Sequence, residues 1–186
     1  QMLVAGDLTT AGNQETSYEE LLEAYREQIL VQAREGIDLL VAETMLGVTE
    51  CMAALDAAAS VCSLPVMCTL TVESDGSLFF GGNIYEAVET LEEMGADAVG
   101  INCSTGPDQL LSVVENMRKR VNIPLIVKPN AGIPVINAQG QPVYSMEARE
   151  FAACMKHLVD AGADIIGGCC GTTPEYIQKL HDTFTL

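Results

Sequence analysis

Three stretches of the chain align with one another without a gap: Glu35-Gly36-Ile37-Asp38-Leu39-Leu40-Val41-Ala42-Glu43, Met94-Gly95-Ala96-Asp97-Ala98-Val99-Gly100-Ile101-Asn102 and Ala161-Gly162-Ala163-Asp164-Ile165-Ile166-Gly167-Gly168-Cys169. In each, a glycine able to take the left-handed conformation ends an amphipathic helix. The apolar run that follows shows no polar alternation, which marks a parallel strand covered on both faces. Leu64-Pro65-Val66-Met67-Cys68-Thr69 and Ile123-Pro124-Leu125-Ile126-Val127-Lys128 read as two further strands, and Met2-Leu3-Val4-Ala5-Gly6 as another. Helical periodicity fills 17–35, 48–62, 83–94, 107–120, 146–161 and 174–183, several of these opened by Ser or Thr. Strict alternation of strand and helix predicts an α/β fold with a parallel sheet. Such a sheet is either open and doubly wound or a TIM-type (βα)8 barrel. The chain has no Gly-x-Gly-x-x-Gly fingerprint and no phosphate-binding loop, so the barrel is favoured. A complete barrel takes about 250 residues. The 186 residues here open in a strand and supply six βα units, with two units expected to be absent from the N-terminal side.

No composition shift divides residues 1–186, and at 48% hydrophobic they can bury one sizeable core, so one domain is expected. A net charge of −17 with nine basic residues excludes nucleic acid and anionic membrane surfaces, which need a density of Lys and Arg. No apolar run approaches the roughly 20 residues that span a bilayer, and no basic segment leads into an apolar signal core. A cytoplasmic location follows as the expectation. The seven cysteines are an odd number without a disulfide-like framework, which suits reduced thiols. Cys51, Cys62, Cys68 and Cys154 are assigned to packing.

The remaining three cysteines fall where chemistry is expected. In the aligned repeat Glu43, Asn102 and Cys169 are equivalent, and Thr44, Cys103 and Cys170 follow them. All six therefore stand at the C-terminal rim of their strands, where barrel enzymes place their active residues. Cys103 and Cys170 each precede a proline by four residues and a carboxylate by five, the opening of a new helix whose N-terminal dipole favours thiolate. Cys169 and Cys170 can serve one ion only if the chain turns between them, and Gly167, Gly168 and Gly171 make that turn feasible. Three thiolates with an open fourth position suit zinc of the catalytic kind. The alternative from spacing alone is a pair of buried cysteines or a vicinal disulfide, with Cys103 unrelated. Zinc so held would take a substrate thiol and lower its pKa from about 8.5 to below neutrality, so alkyl transfer to sulfur is the natural reaction.

Gly100-Ile101-Asn102-Cys103-Ser104, Pro129-Asn130-Ala131-Gly132 and Gly168-Cys169-Cys170-Gly171-Thr172-Thr173-Pro174 together resemble the homocysteine S-methyltransferase family, above all the homocysteine-binding zinc domain of its cobalamin-dependent methionine synthase branch. The resemblance runs over nearly the whole chain. It implies a zinc-containing (βα)8 barrel in which Cys103, Cys169 and Cys170 bind Zn2+ and homocysteine completes the tetrahedron. It implies further that Glu43, with Thr44 beside it, holds the substrate ammonium group, and that Asn130 orients the cluster or fills the fourth zinc position in the absence of substrate. No catalytic residue beyond the zinc site is expected. The methyl donor would be a methylcorrinoid such as methylcobalamin, carried by another domain or protein; other members use betaine or sulfonium donors. The family's first strand, whose Asp-Gly turn receives the substrate carboxylate, and its second strand have no counterpart here. Competing readings are a zinc-binding module or barrel fragment without turnover of its own and a methyltransferase for another small thiol. Residues 129–145 have the length of a covering loop. Lys128 is expected to pair with Glu43 or to meet a carboxylate, and His157 and His181 to face solvent. Six strands without closure leave an edge, so association with another copy or with a missing barrel segment is expected.

Overall fold

The computed structural model describes residues 2–185. Strands β1 (Ala5–Thr9), β2 (Leu39–Met45), β3 (Val66–Leu70), β4 (Ala98–Asn102) and β5 (Leu125–Lys128) alternate with helices α1 (Tyr18–Arg34), α2 (Val48–Val61), α3 (Ile84–Glu93) and α4 (Leu111–Arg118). A short hairpin of β6 (Val135–Ile136) and β7 (Pro142–Val143) precedes α5 (Ala148–Asp160), β8 (Ile165–Ile166) and α6 (Pro174–Phe184). The local signals act as expected at α1, where Ser17 and Glu20 form a reciprocal capping box.

The main sheet is wholly parallel, in the order β1-β2-β3-β4-β5-β8. Each strand lies beside the one before it. A doubly wound sheet reverses its order partway, and this one does not, so the sheet is six consecutive staves of a barrel. Register separates its faces. Leu8, Leu40, Ala42, Cys68, Leu70, Val99, Ile101, Leu125 and Val127 are at most 1% exposed and join the hydrophobic cluster under the helices. The alternate set pairs Asp7 with Val41, Thr9 with Glu43, Thr69 with Gly100 and Asn102 with Lys128, and forms the inner face. Gly100 is required there. A Cβ at this position would stand 1.9 Å from the carbonyl oxygen of Ile126 on the neighbouring strand.

Three expected boundaries move. The first strand is Ala5–Thr9 rather than Met2–Gly6, because Gly6 and Leu8 are its buried residues and the polar Asp7 and Thr9 belong to the inner face. The helix expected over 107–120 is a 3-10 turn at Pro107–Gln109 followed by α4 from Leu111, with neither start held by a side-chain cap. The 129–145 loop contains the β6–β7 hairpin.

Candidate metal centre

The thiols of Cys103, Cys169 and Cys170 converge at the ends of β4 and β8, with all three Sγ atoms within 4.8 Å of one another and Cys103 and Cys170 3.4 Å apart. They are the one group of three or more His, Cys, Asp or Glu side chains among the described residues placed to share an ion. All seven cysteines are unbonded thiols, so the vicinal disulfide is not formed. Tetrahedral zinc with bonds near 2.3 Å sets its sulfurs about 3.8 Å apart. The donor set and its spacing fit that ion.

The backbone brings the sulfurs together. Cys103 adopts φ 51°, as does its repeat equivalent Thr44 at φ 59°, a left-handed conformation costing a β-carbon-bearing residue about 1–2 kcal/mol. The Cys103 N–H donates to the Lys128 carbonyl at 3.2 Å, and that of Cys169 to Pro129 at 2.9 Å. The Cys169 carbonyl accepts from the N–H and hydroxyl of Thr172, at 3.2 and 2.7 Å. Gly171, at φ 81°, completes the turn that runs from Cys169 through Cys170 to Thr172. Asn130 ties the two turns, accepting from the Cys170 N–H at 3.0 Å and donating to the Ser104 carbonyl at 2.8 Å. Its amide is thus engaged with backbone on both sides.

Two residues of the site were given no role by the sequence reading, although Asn102 was placed at the strand rim. Asn102 is 1% exposed; its oxygen accepts from the Thr44 N–H and the Thr69 hydroxyl, each at 2.8 Å. Its nitrogen donates to Thr44 Oγ1 at 2.8 Å and reaches Cys169 Sγ at 3.8 Å. An amide ending a fully buried strand needs such partners, and that was the available signal. Tyr144 arrives from the hairpin and lays its ring on Gly171, where a Cβ would stand 2.3 Å from Tyr144 Cγ. Its burial, together with the Cys170 sulfur beside its hydroxyl, pushes the phenol pKa up. Only the glycine at 171 hinted at this contact.

Hydrogen bonds from the Cys103 thiol, the Cys170 backbone and thiol, and the Asn102 amide lower the Cys169 pKa from 9.0 to about 6 despite partial burial. Cys103, the donor to Cys169, moves up, aided by its own burial. The expected helix-dipole contribution at Cys103 is not realised, since α4 begins only at Leu111. Elsewhere Cys51 and Cys68 are fully buried, Cys62 and Cys154 half-buried, and His157 and His181 exposed, all outside the cluster. Glu43, two residues before the end of β2, and Lys128, the last residue of β5, form an ion pair across the inner face. Beside Cys103 opens a cavity of about 340 Å³ lined by Thr71, Glu73, Phe79, Thr105, Gln109 and Ile133, among others.

Residues 1–184 match the sequence model of the family described as homocysteine S-methyltransferase. The methionine synthases of Mycobacterium leprae (strain TN) and Mycobacterium tuberculosis (strain ATCC 25618 / H37Rv) are each 32% identical to the chain over 179 residues, 93% of its length. The chain spans 15% of those relatives. Among crystal structures, the homocysteine methyltransferase MmuM from Escherichia coli in its apo form superposes with a TM-score of 0.79 at 26% identity, covering 98% of this chain and 62% of MmuM. Its metallated form gives a TM-score of 0.81 at 24% identity over 97% and 61% of the two chains.

Proposed function

The chain belongs to the homocysteine S-methyltransferase family, and on that premise we propose that it binds homocysteine and presents its sulfur for methylation to methionine, using zinc held by Cys103, Cys169 and Cys170. The observation that carries this reading is the convergence of three thiols at the strand ends of a barrel sheet. Zinc in that site supplies the Lewis acidity that keeps a substrate thiol deprotonated at neutral pH.

The chain's own residues do the holding. Asn102 steadies Cys169 and fixes the Thr44 turn, and Asn130 locks the Cys103 and Cys170 turns to each other. Glu43, with Thr44 beside it, receives the substrate ammonium. The substrate sulfur's electron pair forms the new bond to the methyl carbon, the donor keeps the pair of the bond that breaks, and the thiol proton leaves to solvent. The donor is a methylcorrinoid carried by another domain or protein, a choice supported by the likeness to methionine synthases. The setting is the cytoplasm, where seven unpaired thiols stay reduced. No helix among the described residues is long and apolar enough to cross a membrane.

Metal analysis of two variants tests the ligand set. Cys103→Ser is expected to lose most of its zinc and Cys154→Ser to retain it; equal zinc in the two variants would remove the basis of the proposal.

A further inference from the structure

Four sulfurs meet once a substrate thiol joins Cys103, Cys169 and Cys170, and a methyl electrophile brought there can react with any thiolate it reaches. Only the substrate sulfur should take the methyl group. Two of the protein sulfurs have cover, since Cys103 and Cys169 are half-buried and the Asn102 amide nitrogen reaches Cys169 Sγ at 3.8 Å. Cys170 is exposed. Its N–H donates to the Asn130 side chain at 3.0 Å and its carbonyl accepts the Ala131 N–H at 2.9 Å, so its own backbone groups are engaged away from its sulfur.

Tyr144 is the side chain aimed at that sulfur. Its ring lies against Gly171, where a Cβ would stand 2.3, 2.5 and 2.8 Å from Cγ, Cδ2 and Cδ1, and its hydroxyl stands beside Cys170 Sγ. The chain just after Tyr144 is held in place: the Met146 N–H donates to the Ala131 carbonyl at 3.3 Å, and the Met146 carbonyl accepts from the Tyr176 hydroxyl. The ring covers Gly171 yet leaves Cys170 exposed, so bulk alone does not protect the sulfur. Resting on the function proposed above, we infer that Tyr144 is a positioning residue that keeps Cys170 a metal ligand and not a methyl acceptor, its hydroxyl donating to the Cys170 thiolate. Such a hydrogen bond draws charge from the sulfur lone pairs and has to weaken before that sulfur can attack. Without it, Cys170 Sγ forms the bond to the methyl carbon, the leaving group departs with the electron pair of the bond that breaks, and no proton moves. The neutral thioether that results no longer binds the metal as a thiolate does.

The test is methylation resolved by site. The zinc-loaded full chain, without homocysteine, is treated with methyl iodide near neutral pH, S-methylation of each cysteine is followed by peptide mass spectrometry, and released zinc is followed with a chromogenic chelator. Tyr144→Phe keeps the ring and removes the donor. In it Cys170 should be methylated about tenfold faster than in wild type, with zinc released in step, while Cys103 and Cys169 keep their wild-type rates. A Tyr144→Phe protein that matches wild type at Cys170 overturns the inference and leaves the proposed function standing. A rise shared equally by the three cysteines overturns it as well, because that reports a loosened cluster, and so does a variant that binds no zinc, because the hydroxyl would then hold the site together instead of quieting one sulfur. A wild type that binds no zinc overturns both the inference and the proposed function.

Discussion

At the residue scale the thiol cluster is asymmetric. Cys169 receives hydrogen bonds from Cys103, Cys170 and Asn102, whereas Cys103 donates, so without metal the negative charge collects on Cys169. A lowered pKa means that the thiolate persists above about pH 6 and is lost below it. Alkylation of the zinc-stripped protein by iodoacetamide, followed by peptide mass spectrometry, should therefore show Cys169 reacting with a midpoint near pH 6, well ahead of Cys51. Cys51 lies fully buried against Cys68, and that contact together with burial holds it protonated. Asn102→Ala should move the Cys169 midpoint up. It should also cost about 2–4 kcal/mol in urea unfolding, because it strips partners from the Thr44 N–H and the Thr69 hydroxyl. An unchanged midpoint and stability would show that the amide is incidental. The cysteines were legible in the sequence because their residue type and repeat position name the chemistry. Asn102 shared that repeat position but looked like a strand end, because its partners Thr44, Thr69 and Cys169 lie on three other strands or strand ends.

At the scale of elements, the site depends on two turns and a hairpin that folds back over them. Gly171 serves twice: its φ of 81° closes the turn from Cys169 to Thr172, and its bare Cα receives the Tyr144 ring. Gly171→Ala should lower both stability and zinc affinity, the latter read by chelator competition. Adding Tyr144→Ala should recover only part of the loss, since it relieves the contact with the ring and leaves the left-handed strain, which costs about 1–2 kcal/mol. Full recovery would mean that the backbone conformation carries no cost, and no recovery that the ring contact is irrelevant. The strands were readable because unbroken apolar runs after glycine have few alternatives. The segment after Cys103 was not. Its proline and early acid signal a helix start, yet they produce a 3-10 turn, and α4 waits for Leu111. The hairpin that brings Tyr144 to the site has exposed strands of two residues each, too short for any periodicity to register.

For the whole molecule, the unreversed strand order decides the architecture, and the strict alternation of strand and helix in the sequence anticipated the parallel sheet that carries it. Strand order itself lay beyond the sequence, since periodicity states how a strand is covered and not which strand lies beside it. Among the described residues β1 and β8 each pair with one neighbour, leaving both edges of the main sheet open. Unpaired edges promote association, while a charge of −17 opposes it by repulsion that salt screens. Sedimentation should therefore show self-association that grows with protein concentration and with added salt; a monomer under all these conditions would count against exposed edges. The central claim, that Cys103, Cys169 and Cys170 hold zinc and a substrate sulfur joins them as thiolate, is tested most directly by proton release. When homocysteine is added to the zinc-loaded chain in weak buffer near neutral pH, about one proton per chain should appear, and none from zinc-free Cys103→Ser. Homocysteine binding without proton release, or equal release from the variant, would contradict the claim.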